Sequence, residues 1–68
     1  MIPLRVNGVA EELTVATVAE LLAARGIDPA ARFLAVAVNG SVVRRAEWPA
    51  APLSPGDNVE IVRPNQGG

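Results

Sequence analysis

The chain has 68 residues, half of them apolar, and a formal charge of −1 from six arginines and seven carboxylates, with no lysine, histidine or cysteine. A domain of this length buries only about 60% of the surface its unfolded form exposes, so the chain holds one domain with one modest core. Disulfides, zinc sites of the usual ligand type, thiol nucleophiles and imidazole bases are all excluded, and Ser41 and Ser54 have no histidine to activate them, so an enzyme is not expected.

The arginines are scattered among the carboxylates, three on each side of the middle, and Phe33 and Trp48 are the only aromatics. With neither a basic stripe nor a stacking platform, a nucleic-acid partner is not expected. The sequence has no charged leader with an apolar core and no apolar run of spanning length, which makes a membrane partner unexpected and a cytoplasmic location the default.

In chain order, Ile2, Leu4 and Val6 alternate with Pro3 and Arg5 as a strand does, and Asn7-Gly8 follows at once. Asn-Gly tolerates the positive φ angles of a two-residue turn, so Val9 to Leu13 is predicted to return antiparallel. Thr17-Val18-Ala19-Glu20 has capping-box spacing and starts a helix of two to three turns, with Val18, Leu21 and Leu22 as its buried stripe. Gly26 is placed to end it, with Arg25 in the last turn against the negative end of the dipole.

Phe33 to Val38 is an apolar run of strand length without clear alternation, predicted as an interior strand buried on both sides or opposite small residues. Asn39-Gly40 repeats the turn signal, and Ser41 to Arg44 continues as a short strand. Pro49, Pro52 and Pro55 exclude a central strand or helix interior, so this stretch is predicted to be an ordered connection that Trp48 and Leu53 anchor to the core. Pro55-Gly56-Asp57 turns into a last strand, Asn58 to Arg63, with Val59 and Ile61 facing one way.

One helix laid across one face of a mixed sheet is the economical way to bury a single amphipathic stripe. The first and last strands are candidates for parallel neighbours at the sheet centre, joined by a long right-handed connection. The expected fold class is therefore α+β, a β-grasp or ubiquitin-like domain over 1–63, followed by a flexible tail over 64–68.

That tail, Pro64-Asn65-Gln66-Gly67-Gly68, has nothing apolar to bury and is expected to project. Five extended residues reach roughly 17 Å, enough to carry a terminal carboxylate into a partner's active site. Such a carboxylate, with an ordinary pKa of about 3.5, is ionised at neutral pH and can attack the α-phosphate of ATP. A sulfur nucleophile can then displace AMP and leave a thiocarboxylate. Glycine at the last two positions lets the backbone thread a narrow channel beside the nucleotide. The bland alternative is a frayed or appended end.

Other residues receive structural readings. Trp48 is read as a cover for the core rather than a partner contact. Arg44 and Arg45 are read as solvated edge charges rather than a steering patch, and Glu11, Glu12 and Glu47 as surface groups. The absence of lysine excludes a modifier that builds chains on itself, although attachment of Gly68 to another protein's lysine stays open. A binding module with an inert tail is the third class.

Several segments together resemble the ThiS-type sulfur carriers of thiamine biosynthesis. They are Asn7-Gly8, Thr17-Val18-Ala19-Glu20-Leu21-Leu22, Ala37-Val38-Asn39-Gly40 with Val42-Val43, Arg45-Ala46-Glu47-Trp48, Leu53 before Gly56-Asp57, Val59-Glu60-Ile61-Val62, and Gly67-Gly68. The resemblance implies a β-grasp fold and adenylation of Gly68 by a ubiquitin-activating-type adenylyltransferase. Conversion to a thiocarboxylate by a sulfur-donor system would follow, and then delivery to thiazole synthase. Pro64, Asn65, Gln66 and Gly67 would be the partner-binding residues. No cofactor is expected on this chain, ATP and Mg belonging to the adenylating partner. Asn65-Gln66 is more polar than the family's usual small apolar residues, which leaves partner choice open. Carriers for molybdopterin, cysteine or secondary-metabolite synthesis are the alternatives.

Overall fold

In the computed structural model, which describes residues 1–63, both Asn-Gly pairs form the turns their chemistry favours. Asn7 and Gly8 have φ of 50° and 84°, and Asn39 and Gly40 have 52° and 83°, the positive pair that a tight right-twisted hairpin requires. The first turn joins β1 (Ile2–Val6) to β2 (Val9–Leu13), and the second joins β3 (Ala35–Val38) to β4 (Ser41–Val43). The last strand, β5 (Asn58–Val62), slots between the two hairpins, parallel to β1 and antiparallel to β3. The sheet order is β2-β1-β5-β3-β4, with the first and last strands as parallel neighbours, as expected. This mixed sheet with its one α-helix is an α+β β-grasp fold.

Helix α1 (Val18–Ala24) opens as the sequence indicates, with the Thr17 side chain accepting from the Glu20 N–H at 3.2 Å. Glu20 reaches one residue further back than the standard box, its Oε1 accepting from the Ala16 N–H at 2.8 Å. The helix ends in a Schellman arrangement. The Gly26 N–H donates to the Ala23 carbonyl and the Ile27 N–H to the Leu22 carbonyl, with Gly26 at φ 70°. Arg25 is the capping residue rather than part of the last turn, and its guanidinium pairs with Glu11 of β2 instead of serving the helix dipole.

The helix stripe of Val18, Leu21 and Leu22 packs onto Leu4, Val6, Val36, Val59 and Ile61 from one sheet face, with Ile27, Leu34, Trp48 and Leu53 completing the core. No polar side chain is buried among the described residues.

Two expectations need correction here, and one pair of alternatives is decided. The apolar run at Phe33 does not begin a strand: β3 starts at Ala35, and Phe33 is 77% exposed with φ 61°. For β3 itself, interior between β5 and β4, the structure takes the second of the two readings, small residues opposite the buried side. Val36 is buried on the core face, while Ala35 and Ala37 look out from an open face, so small side chains rather than a second layer explain the missing alternation. The Pro-rich connection includes a 3₁₀ helix, α2 (Arg45–Ala50), with Pro49 inside it. A short 3₁₀ segment with few internal bonds accepts proline where an α-helix interior does not.

Trp48 on α2 is 2% exposed, as the core reading requires, and its indole N–H donates to the Val43 carbonyl at 2.9 Å. Arg45 is more than a solvated charge. It donates to the carbonyls of Pro29 and Ala31 and lies over the Trp48 ring, 4.8 Å from the centroid. One cation thus ties the loop after α1 to α2.

Candidate functional site

The chemistry expected of this chain sits at its end. Pro64, Asn65, Gln66, Gly67 and Gly68 lie outside the described residues, so the geometry on hand is that of the strand and surface from which they lead.

That strand is β5. Its Val59 and Ile61 are buried in the core, while Asn58, Glu60 and Val62 face the open side. On one flank β3 pairs with it as far as Ala35↔Val62. On the other flank β1 pairs with it only at Arg5↔Asn58 and Val6↔Val59. The Arg5 N–H donates to the Asp57 carbonyl at 3.0 Å and the Asn7 N–H to the Val59 carbonyl at 2.9 Å. Beyond that point the Asn7 side chain takes over, its Oδ1 accepting from the Ile61 N–H at 2.7 Å and its Nδ2 donating to the Ile61 carbonyl at 3.2 Å. The chain is therefore held on both sides until two residues before Arg63.

Beside this exit lies a hollow of about 300 Å³ lined by Val6, Asn7, Arg25, Ile27, Ile61, Val62 and Arg63. It gathers two arginines, 25 and 63, at the root of the tail, a juxtaposition that sequence reasoning missed because residues 25 and 63 are brought together only by the fold. A second hollow, along α2, has Glu47 as the one charged residue of its lining, among small apolar side chains. No grouping of three or more carboxylates that can hold a metal occurs among the described residues. No described helix is long and apolar enough to cross a membrane.

The open sheet face carries the other surface feature. Val62 stands beside Ala35, and Ala37 between Glu60 and Val42, by strand register. Val62 and Val42 are 59% and 76% exposed. The helix covers only the opposite side.

A five-stranded sheet grasping one helix, with a central strand followed in sequence by the residues that end in Gly67-Gly68, defines a small β-grasp protein of the ubiquitin-like kind. The chain belongs to the ThiS family, whose model matches residues 4–68. It is similar to the crystal structure of the thiamine biosynthesis protein ThiS from Geobacter metallireducens, at 33% identity and a TM-score of 0.79 over 98% of this chain and 100% of that one. The solution structure of a thiamine biosynthesis protein from the same organism matches at 33% identity and a TM-score of 0.77, over 98% of this chain and 88% of that one. No curated protein matches the chain.

Proposed function

We propose that this chain is a sulfur carrier that works through the carboxylate of Gly68 and serves as a substrate of partner enzymes rather than as an enzyme itself. The observation that carries this reading is that the family match runs to residue 68 and so includes Gly67-Gly68. The position of β5 supports it, since a central strand paired on both flanks gives the following segment a firm base. The lack of cysteine and histidine supports a passive role.

In this reading a ubiquitin-activating-type adenylyltransferase binds ATP and its Mg²⁺, and a Gly68 carboxylate oxygen attacks the α-phosphorus. Pyrophosphate leaves and an acyl-adenylate forms. A sulfide-level nucleophile from the sulfur-donor system then attacks the acyl carbon, the C–O bond to AMP breaks, and a thiocarboxylate remains. Transfer of that sulfur to thiazole synthase, during formation of the thiamine thiazole, is the proposed destination. Pro64, Asn65, Gln66 and Gly67 are the segment that threads the partner's channel, and the cytoplasm is the proposed location.

The test is intact mass after incubation with the adenylating partner, ATP and sulfide. A gain equal to one sulfur-for-oxygen exchange, abolished by an appended C-terminal tag, is the expected result. An unchanged mass with an active partner overturns the reading, and an isopeptide adduct instead identifies a protein modifier.

A further inference from the structure

A hairpin turn needs Asn7 only for its positive φ, yet its carboxamide is engaged 54 residues away in the sequence. The reason lies in the ladder between β1 and β5. In a parallel pair, the bond after Asn7 N–H to Val59 O runs from the Ile61 N–H to the Asn7 carbonyl, and the next from the amide of residue 9 to the Ile61 carbonyl. Neither is available, because the chain turns away at Asn7-Gly8. The Asn7 side chain supplies both missing partners, with Oδ1 in place of its own main-chain carbonyl and Nδ2 in place of the next amide. A carboxamide has the same donor and acceptor as a peptide group, which is why asparagine fits here.

The other hairpin gives an internal comparison. Asn39 has nearly the same φ, and its Oδ1 accepts from the Asn58 N–H at 2.9 Å while its Nδ2 donates to Asp57 Oδ1 at 3.0 Å. It clamps the start of β5. Asn7 clamps the end, beside the exit.

We propose that Asn7 is a positioning residue for the C-terminal tail: its carboxamide fixes the last residues of β5 and so sets the direction in which the chain leaves toward Gly68. This rests on the reading of Gly68 as the group delivered into a partner's nucleotide site. Without the clamp, β5 is held beyond Val59 from the β3 side alone, and the tail leaves over a wider range of directions. Fewer carriers are aligned for entry, and apparent affinity falls by that fraction. Once the tail is seated, the partner holds it, so the chemical step keeps its rate.

The experiment compares full-length Asn7→Gly and Asn39→Gly with the wild type. Glycine keeps the positive φ and removes only the carboxamide. By NMR, amide exchange at Ile61 is expected to speed up roughly tenfold or more relative to Val36 in Asn7→Gly, and at Asn58 rather than Ile61 in Asn39→Gly. In ATP–pyrophosphate exchange with the adenylating partner, Asn7→Gly is expected to raise the KM for the carrier by about threefold or more with kcat unchanged. Asn39→Gly is expected to leave both constants as they are. Asn7→Asp also tolerates the positive φ and keeps the acceptor for the Ile61 N–H, but it sets an oxygen where Nδ2 donates to the Ile61 carbonyl, so it loses the second half of the clamp and raises KM as well. Unchanged exchange at Ile61 overturns the clamp. A KM equal to wild type in Asn7→Gly, or raised equally in Asn39→Gly, overturns the positioning role while adenylation of Gly68 stands. A wild-type chain that supports no pyrophosphate exchange overturns the reading of Gly68 and the role of Asn7 with it.

Discussion

Arg45 joins two segments that the sequence places apart, the loop after α1 and α2, and removing it has a calculable effect. Arg45→Ala deletes two hydrogen bonds from a charged donor to the Pro29 and Ala31 carbonyls, and a cation lying 4.8 Å from the Trp48 centroid. Both bonds are exposed to solvent, so each contributes about 0.5–1 kcal/mol, and the ring contact adds about as much, for a loss of about 2 kcal/mol. A domain of this size has roughly 3–10 kcal/mol to lose. The expected fall in Tm is therefore on the order of 10 °C. Arg45→Lys keeps the charge, but a single ammonium cannot span both carbonyls as the guanidinium fork does, and it loses about half as much. Trp48 is the only tryptophan, which makes its fluorescence in a urea titration a clean reporter of both variants. The midpoint is expected to drop with the slope unchanged. If alanine and lysine both leave the midpoint within error of wild type, the guanidinium is a surface charge and the clip between the loop and α2 does not exist.

Two further substitutions probe the backbone. At Gly26 an added Cβ meets no atom within 4 Å, but φ is 70°, so Gly26→Ala costs only the left-handed penalty, about 1 kcal/mol in the same titration. A loss several times larger would mean that a hidden clash, not the torsion, governs this helix end. Phe33 pays the same torsional penalty while 77% exposed, so Phe33→Asn is expected to raise stability by about 0.5–1 kcal/mol. Destabilisation of that size would show that the ring makes contacts that outweigh its strain.

Signals confined to a few neighbouring residues were legible in the sequence. The Asn-Gly turns, the Thr17 cap, the Gly26 stop and the Val18, Leu21, Leu22 stripe each arise from local torsions or a helical period, and each lies where the sequence puts it. Phe33 misled because hydrophobicity alone does not separate a strand residue from an exposed aromatic in a left-handed bend. Arg45 read as a solvated edge charge because its partners are 14 and 16 residues away and are main-chain carbonyls, which leave no mark in side-chain composition. Asn7 hid its second role behind its first: a residue that already explains a turn gives no reason to look for a partner across the sheet. At the site itself, the strand leading to the tail was legible, whereas the two arginines at its root were not, since only the fold makes 25 and 63 neighbours.

The threading of β5 between β1 and β3 also has a mechanical consequence. A partner that grips the chain end and draws on it loads this strand lengthwise, and the bonds on both flanks lie across the pull and share the force together rather than parting one after another. Within the sheet the two hairpins are joined through this strand, so tension on the end is spread across the whole sheet. On the proposed carrier role, a strand rooted in this way keeps the body folded while a partner draws on the chain end.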